Sequence, residues 1–155
     1  MRIDVRVQPE SFSLDAEIAH LAQAGHDIGG IGAFLGLVRA EDGLQALTLE
    51  HYPGMTESMM TRIVRQAGAR FGLLACTVIH RVGRLPVGAP IVLVLCAAPH
   101  RAAALDGTAF VIDWLKTRAP FWKRQDYADG RTSWVEARCS DDEATARWTE
   151  TGLMS

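Results

Sequence analysis

Residues 73–99 read LLACTVIHRVGRLPVGAPIVLVLCAAP. Two apolar runs, 73–83 and 91–99, are parted by Pro86, Gly88 and Pro90, residues that punctuate rather than continue regular structure. Short, β-branched apolar runs bounded by turn residues predict two buried strands. Working outward, IGAFLGLVR (31–39) and ALTLEHY (46–52) flank Glu41-Asp42-Gly43, which predicts a hairpin that Pro53 and Gly54 end. Ile3, Val5 and Val7 alternate with polar residues as in a half-buried strand, closed by Pro9. Ser13 and Asp15 precede Ile18, Leu21 and Ala22 at helical spacing, with Gly25 as the stop. Met59, Ile63, Ala67 and Phe71 form an i, i+4 stripe that predicts a helix over 55–71. A third helix is predicted from His100 to Arg118, because Pro120 prevents it running further. Two strands, 121–127 and 132–138, joined at Asp129-Gly130, and a short helix over 141–148 complete the chain. Hairpins mixed with helices predict an α+β fold with a mainly antiparallel sheet and flanking helices.

The chain has 155 residues, which suits one domain spanning 1–155. Its 48% hydrophobic and 22% charged residues are those of a globular protein. A net charge of −2 gives no general attraction to nucleic acid or to an anionic membrane, so any cationic site must be local. The apolar run 91–98 falls far short of the roughly 20 residues that cross a bilayer. The segment MRIDVRVQPE has no apolar signal region, and the cytoplasm is the expected compartment. Three cysteines, at 76, 96 and 139, argue against a disulfide framework and a close-spaced metal knuckle, so no metal site is expected. No nucleotide-binding glycine motif, HExxH or GxSxG occurs.

Fourteen of the sixteen basic residues are arginine; the two lysines, 116 and 123, both fall in LKTRAPFWK. Lysine gives up a proton far more readily than arginine, so the pair is a candidate acid/base or carbonyl-contacting site. The alternative is structural: Lys116 pairs with Asp113 at i, i+3 near a helix C-terminus. His100-Arg101 stands where a strand gives way to a helix, and free N–H groups there would join imidazole and guanidinium in holding an anion. A solvated pair is the competing reading. Arg39 and Arg124 could add charge to one pocket or stand apart on the surface. His20, His26, His51 and His80 read as surface or satisfied core histidines, and Cys76 and Cys96 as small core hydrophobes. Negative neighbours disfavour a thiolate at Cys139. The four tryptophans read as anchors of the core or of an interface.

The segments VRVQPE (5–10), LTLEHYPGMTE (47–57), HRVGRL (80–85), HRAAA (100–104) and DWLKTRAPFWK (113–123) resemble the large, catalytic subunit of molybdopterin synthase, in order and over nearly the whole chain. The resemblance implies an α/β-hammerhead type of α+β fold. It implies a sulfurtransferase that converts cyclic pyranopterin monophosphate into molybdopterin by installing two sulfurs. The sulfur would come from the thiocarboxylated Gly-Gly terminus of a small ubiquitin-like subunit, with no resident cofactor. The implied assembly is a heterotetramer built on a central dimer of large subunits. By matching position, Arg39, His100, Arg101, Lys116, Lys123 and Arg124 would form the anionic-substrate pocket, with Phe34 on its glycine-rich strand, and Lys116 and Lys123 would be catalytic. Gln125 stands where many relatives carry an acid, and the turn after Arg39 is compact. A non-catalytic phosphometabolite-binding scaffold of the same fold is the alternative, and a persulfide on Cys139 a third.

Overall fold

The computed structural model describes residues 1–135 and 139–149. In chain order the elements are β1 (Arg2–Gln8), α1 (Leu14–Ala22), β2 (Gly30–Leu37), β3 (Leu44–His51), α2 (Met55–Phe71), β4 (Ala75–Arg81), β5 (Gly83–Pro86), β6 (Pro90–Ala98), α3 (Arg101–Arg118), β7 (Phe121–Tyr127), β8 (Thr132–Trp134) and α4 (Cys139–Thr149). The strands form two sheets, β1-β4-β6-β2 and β5-β3-β7-β8, and only β1 and β4 pair in parallel. The fold is α+β with mainly antiparallel pairing. None of the described helices is long and apolar enough to cross a membrane.

The first sheet is buried on both faces, which is why β4 and β6 read as continuous apolar runs rather than as alternation. Cys76, Val78, Val94 and Cys96 face α2 and α3, meeting Ile63, Val64, Phe110 and Val111. Ala75, Ile79, Leu93 and Leu95 face Leu21 of α1. Cys76 and Cys96 are direct cross-strand partners with Sγ atoms 3.6 Å apart. A third cluster, Val38, Leu49 and Leu85, lies at the second sheet.

The local signals hold at most ends. Ser13 caps α1 by accepting from the Ala16 N–H at 3.3 Å, although the helix closes at Gln23, before Gly25. In α2 the Glu57 carboxylate accepts from the Gly54 N–H at 2.6 Å, and Gly72 ends the helix at φ 67°, a left-handed conformation that glycine takes without strain. The predicted pairing of 31–39 with 46–52 is overturned. β2 joins β6 in the first sheet, and β3 joins β5 and β7 in the second. The segment between them is a crossover between sheets, and the glycines of β2 show why the strand belongs elsewhere. A Cβ on Gly32 would stand 2.3 Å from the Ala104 carbonyl oxygen of α3, so the strand is built to let that helix lie against it. The predicted strand over 132–138 is seen at Thr132–Trp134, paired with β7; residues 136–138 lie outside the described residues, as does the thiol of Cys139.

Candidate active site

α3 ends at Arg118 because Pro120 forces Ala119 into extended geometry, φ −73° and ψ 129°. The chain reverses there and enters β7, so Lys116 in the last helical turn and Lys123 on the strand come to the same cavity of about 380 Å³. Phe34 to Leu37 of β2 form another wall, and His80, Leu115 and Phe121 also line it. The structural reading of Lys116 fails on geometry. The Asp113 carboxylate that would pair with it accepts instead from Arg147 at 2.6 Å and from the Trp148 indole at 2.8 Å. Lys116 has no ion pair with a described residue and is exposed on the cavity side.

His80 is the cavity residue that sequence reasoning missed. Its side chain is 7% exposed, and its ring lies on Phe121 with centroids 3.7 Å apart and planes 17° from parallel. Nδ1 donates to the Arg81 carbonyl at 2.9 Å. Burial pushes the imidazole down to about 3; the Arg81 carbonyl opposes the shift, while Lys123, Lys116 and His51 add to it. The available signal was strand alternation: His80 follows Cys76 and Val78 on the face that meets α2 and α3. His20 and His26 are exposed, as read, but the Nδ1 atom of His51 is sealed without a partner among the described residues.

The remaining sequence candidates do not all join this cavity. Phe34 does. Arg39 lies two residues past Leu37, its side chain 70% exposed and bound to Glu41 at 3.2 Å. Arg124 alternates to the opposite face of β7 from Lys123, where it donates to Asp126 at 2.8 Å. Arg124 and Thr48 hold the Asp126 carboxyl below the usual carboxylate range. That carboxylate neutralises Arg124 rather than facing the lysines. Gln125, on the lysine side of the alternation, donates to Glu41 at 3.1 Å. His100 and Arg101 are exposed at the start of α3. With a rise of about 1.5 Å per residue, Arg101 stands roughly 22 Å along the helix from Lys116, so within one chain the two ends serve different places.

Comparison with known proteins gives the family. The model of the family described as MoaE protein matches residues 7–118. The chain belongs to the MoaE family. It is 53% identical over 149 residues to a molybdopterin synthase catalytic subunit of Rhizobium meliloti, covering 95% of this chain and 96% of that one. A subunit of the same description from Pseudomonas aeruginosa is 48% identical over 149 residues, covering 94% and 99%. Among solved structures, a MoaE protein of Burkholderia ambifaria superposes with a TM-score of 0.82 at 44% identity, covering 96% of this chain and 98% of that one. A molybdopterin synthase of Staphylococcus aureus, 23% identical with a TM-score of 0.77 and covering 84% and 95%, shares the fold. In MoaE terms, the matched segment ends at Arg118, between the two lysines, so Lys123 and its strand lie beyond the family match.

Proposed function

We propose that this chain is the catalytic subunit of a molybdopterin synthase, a sulfurtransferase that converts cyclic pyranopterin monophosphate to molybdopterin. The observation that carries the reading is the meeting of the chain's only two lysines in one cavity. Both reactants, a phosphorylated pterin and a thiocarboxylate, are anions. A protein of net charge −2 needs concentrated local cations to bring them together. The sulfur donor is the thiocarboxylated Gly-Gly end of a small ubiquitin-like subunit, and the working compartment is the cytoplasm. An extended tail of small residues suits a cavity with Gly36 and Phe34 in its wall. Lys116 orients or protonates the tail's terminal carbonyl during transfer, and Lys123 moves protons on the pterin. Phe34 offers the pterin a flat apolar surface.

Arg39 is near enough in sequence to the Leu37 wall to close on the phosphate, and its exposed pair with Glu41 holds it weakly. The separation along α3 means that His100 and Arg101 can meet the lysines only from a second copy of the chain, which agrees with a dimer at the centre of the assembly. Arg124 would have to leave Asp126 to take part.

The test is turnover of the phosphorylated pterin by the full chain with thiocarboxylated partner. Lys116→Ala is expected to abolish conversion with the fold intact, and Lys116→Arg not to rescue it. Full activity in either variant removes Lys116 from the mechanism. A binding scaffold would capture the partner and the pterin with no product.

A further inference from the structure

Cys76 of β4 and Cys96 of β6 are a reactive pair that the lysine site does not use. Their strands run antiparallel, and the two residues stand directly opposite each other. Their Sγ atoms are 3.6 Å apart, a contact distance that leaves no room for an atom between them. Both side chains are fully buried and both thiols are free.

The two sulfurs lie on the same side of the first sheet, in the core that it shares with α2 and α3. Directly opposite residues of an antiparallel pair have Cα atoms about 4.5–5.5 Å apart, inside the range of about 4.4–6.8 Å that a disulfide bridges. The backbone therefore already has the spacing of a linked pair, and closing the bond asks for side-chain rotation rather than movement of a strand. Among the described residues no group of three or more His, Cys, Asp or Glu could hold a metal ion, so the pair lacks the ligands of a closed metal site. The chemistry left to two touching thiols is oxidation to each other.

We propose that Cys76 and Cys96 are a reversible oxidation site, at which hydrogen peroxide converts the buried dithiol into an intramolecular disulfide that staples β4 to β6 with the fold intact. One sulfur attacks a peroxide oxygen, the O–O bond breaks, and a sulfenic acid and one water result. The second thiol then attacks the sulfenic sulfur, the S–S bond forms, and the hydroxyl leaves with the thiol's proton as a second water. Both sulfurs are oxidised and the peroxide is reduced, two electrons in all. Because neither sulfur touches solvent, the reaction waits on local opening of the layer above the sheet and is slower than that of an exposed thiol. In a reducing compartment the dithiol is the resting form, as it stands in the structure.

The test treats the full chain with hydrogen peroxide, with Cys139→Ser beside the wild type to silence the third cysteine. In that variant the mass should fall by two hydrogens, and alkylation after unfolding should find neither thiol free. Peptide mapping should recover the segments holding residues 76 and 96 as one linked species, parted again by dithiothreitol. Circular dichroism should be unchanged, and the urea midpoint should rise by about 1 M, because the link constrains the unfolded chain. Thiols that stay free while a glutathione control is consumed overturn the proposal. So does oxygen added to either sulfur without a link, a link that forms only in chain unfolded beforehand, or a midpoint that does not rise. If Cys139→Ser does not fold, peptide mapping of the wild type decides the same question.

Discussion

Lys116 shows how one side chain's role depends on where its neighbours' charges are spent. Asp113 lies at helical spacing from it, yet its carboxylate is taken by Arg147 and Trp148. Replacing Asp113 by Asn should therefore loosen α4 from α3 by about 1 kcal/mol, read as a shift in the urea midpoint, and leave the lysine site untouched. His80 supplies the clearest pH dependence. Its folded value, about 3, lies below the ordinary 6.5, so the unfolded chain binds the extra proton between those limits. Stability from this group is complete above about pH 6.5 and is lost as pH falls, at up to about 1.4 kcal/mol per pH unit within the window. Thermal melts at pH 7 and pH 5 should therefore differ less in His80→Phe than in wild type. An equal difference in both chains means the imidazole is not held neutral by its surroundings.

Among the elements, β2 decides most. Its glycines look like a hairpin strand's flexibility when read alone, but they are clearance for α3: beyond Gly32, the Thr108 hydroxyl donates to Ala104 at 2.7 Å on the very turn that the strand approaches. Gly32→Ala is expected to cost about 1–3 kcal/mol, because backbone rather than a flexible side chain stands in the way. Urea unfolding measures it, and an unchanged midpoint would mean that helix and strand can part freely. The same variant should lower activity before it unfolds the protein, since β2 and α3 both line the lysine cavity. α2 and α3 were legible almost to the residue, because an i, i+4 stripe in one and a proline just after the other are local signals. The pairing of β2 with β6 was not, since pairing partners in a two-sheet fold are chosen by contacts far apart in sequence.

For the molecule as a whole, a slightly acidic chain keeps its cations in separate places. Two lysines sit at one end of α3 and His100-Arg101 at the other. If a second copy completes each cavity, mixing Lys116→Ala with a His100→Ala, Arg101→Ala double variant should restore turnover that neither has alone, because some mixed dimers carry one intact cavity. No restoration after subunit exchange would mean that each chain works by itself. The exposed aromatic edge formed by Tyr52 and Trp122, ring centroids 4.4 Å apart, with Trp134 55% exposed nearby in the same sheet, leaves those two tryptophans outside the core, so of the two roles expected for the tryptophans, core or interface, the core one does not apply to them. Trp114 alone of that set is deeply buried.

The amino-acid sequence by itself determined the α+β character, the helices and the two-lysine segment, since each is written in local spacing, turn residues or side-chain chemistry. Only the tertiary structure decided that the lysines share a cavity, that Arg124 turns its charge to Asp126, and that a histidine of β4 joins the site. Those outcomes depend on which face each residue presents and on how far apart a helix holds its ends, and both are settled by packing between segments rather than within them.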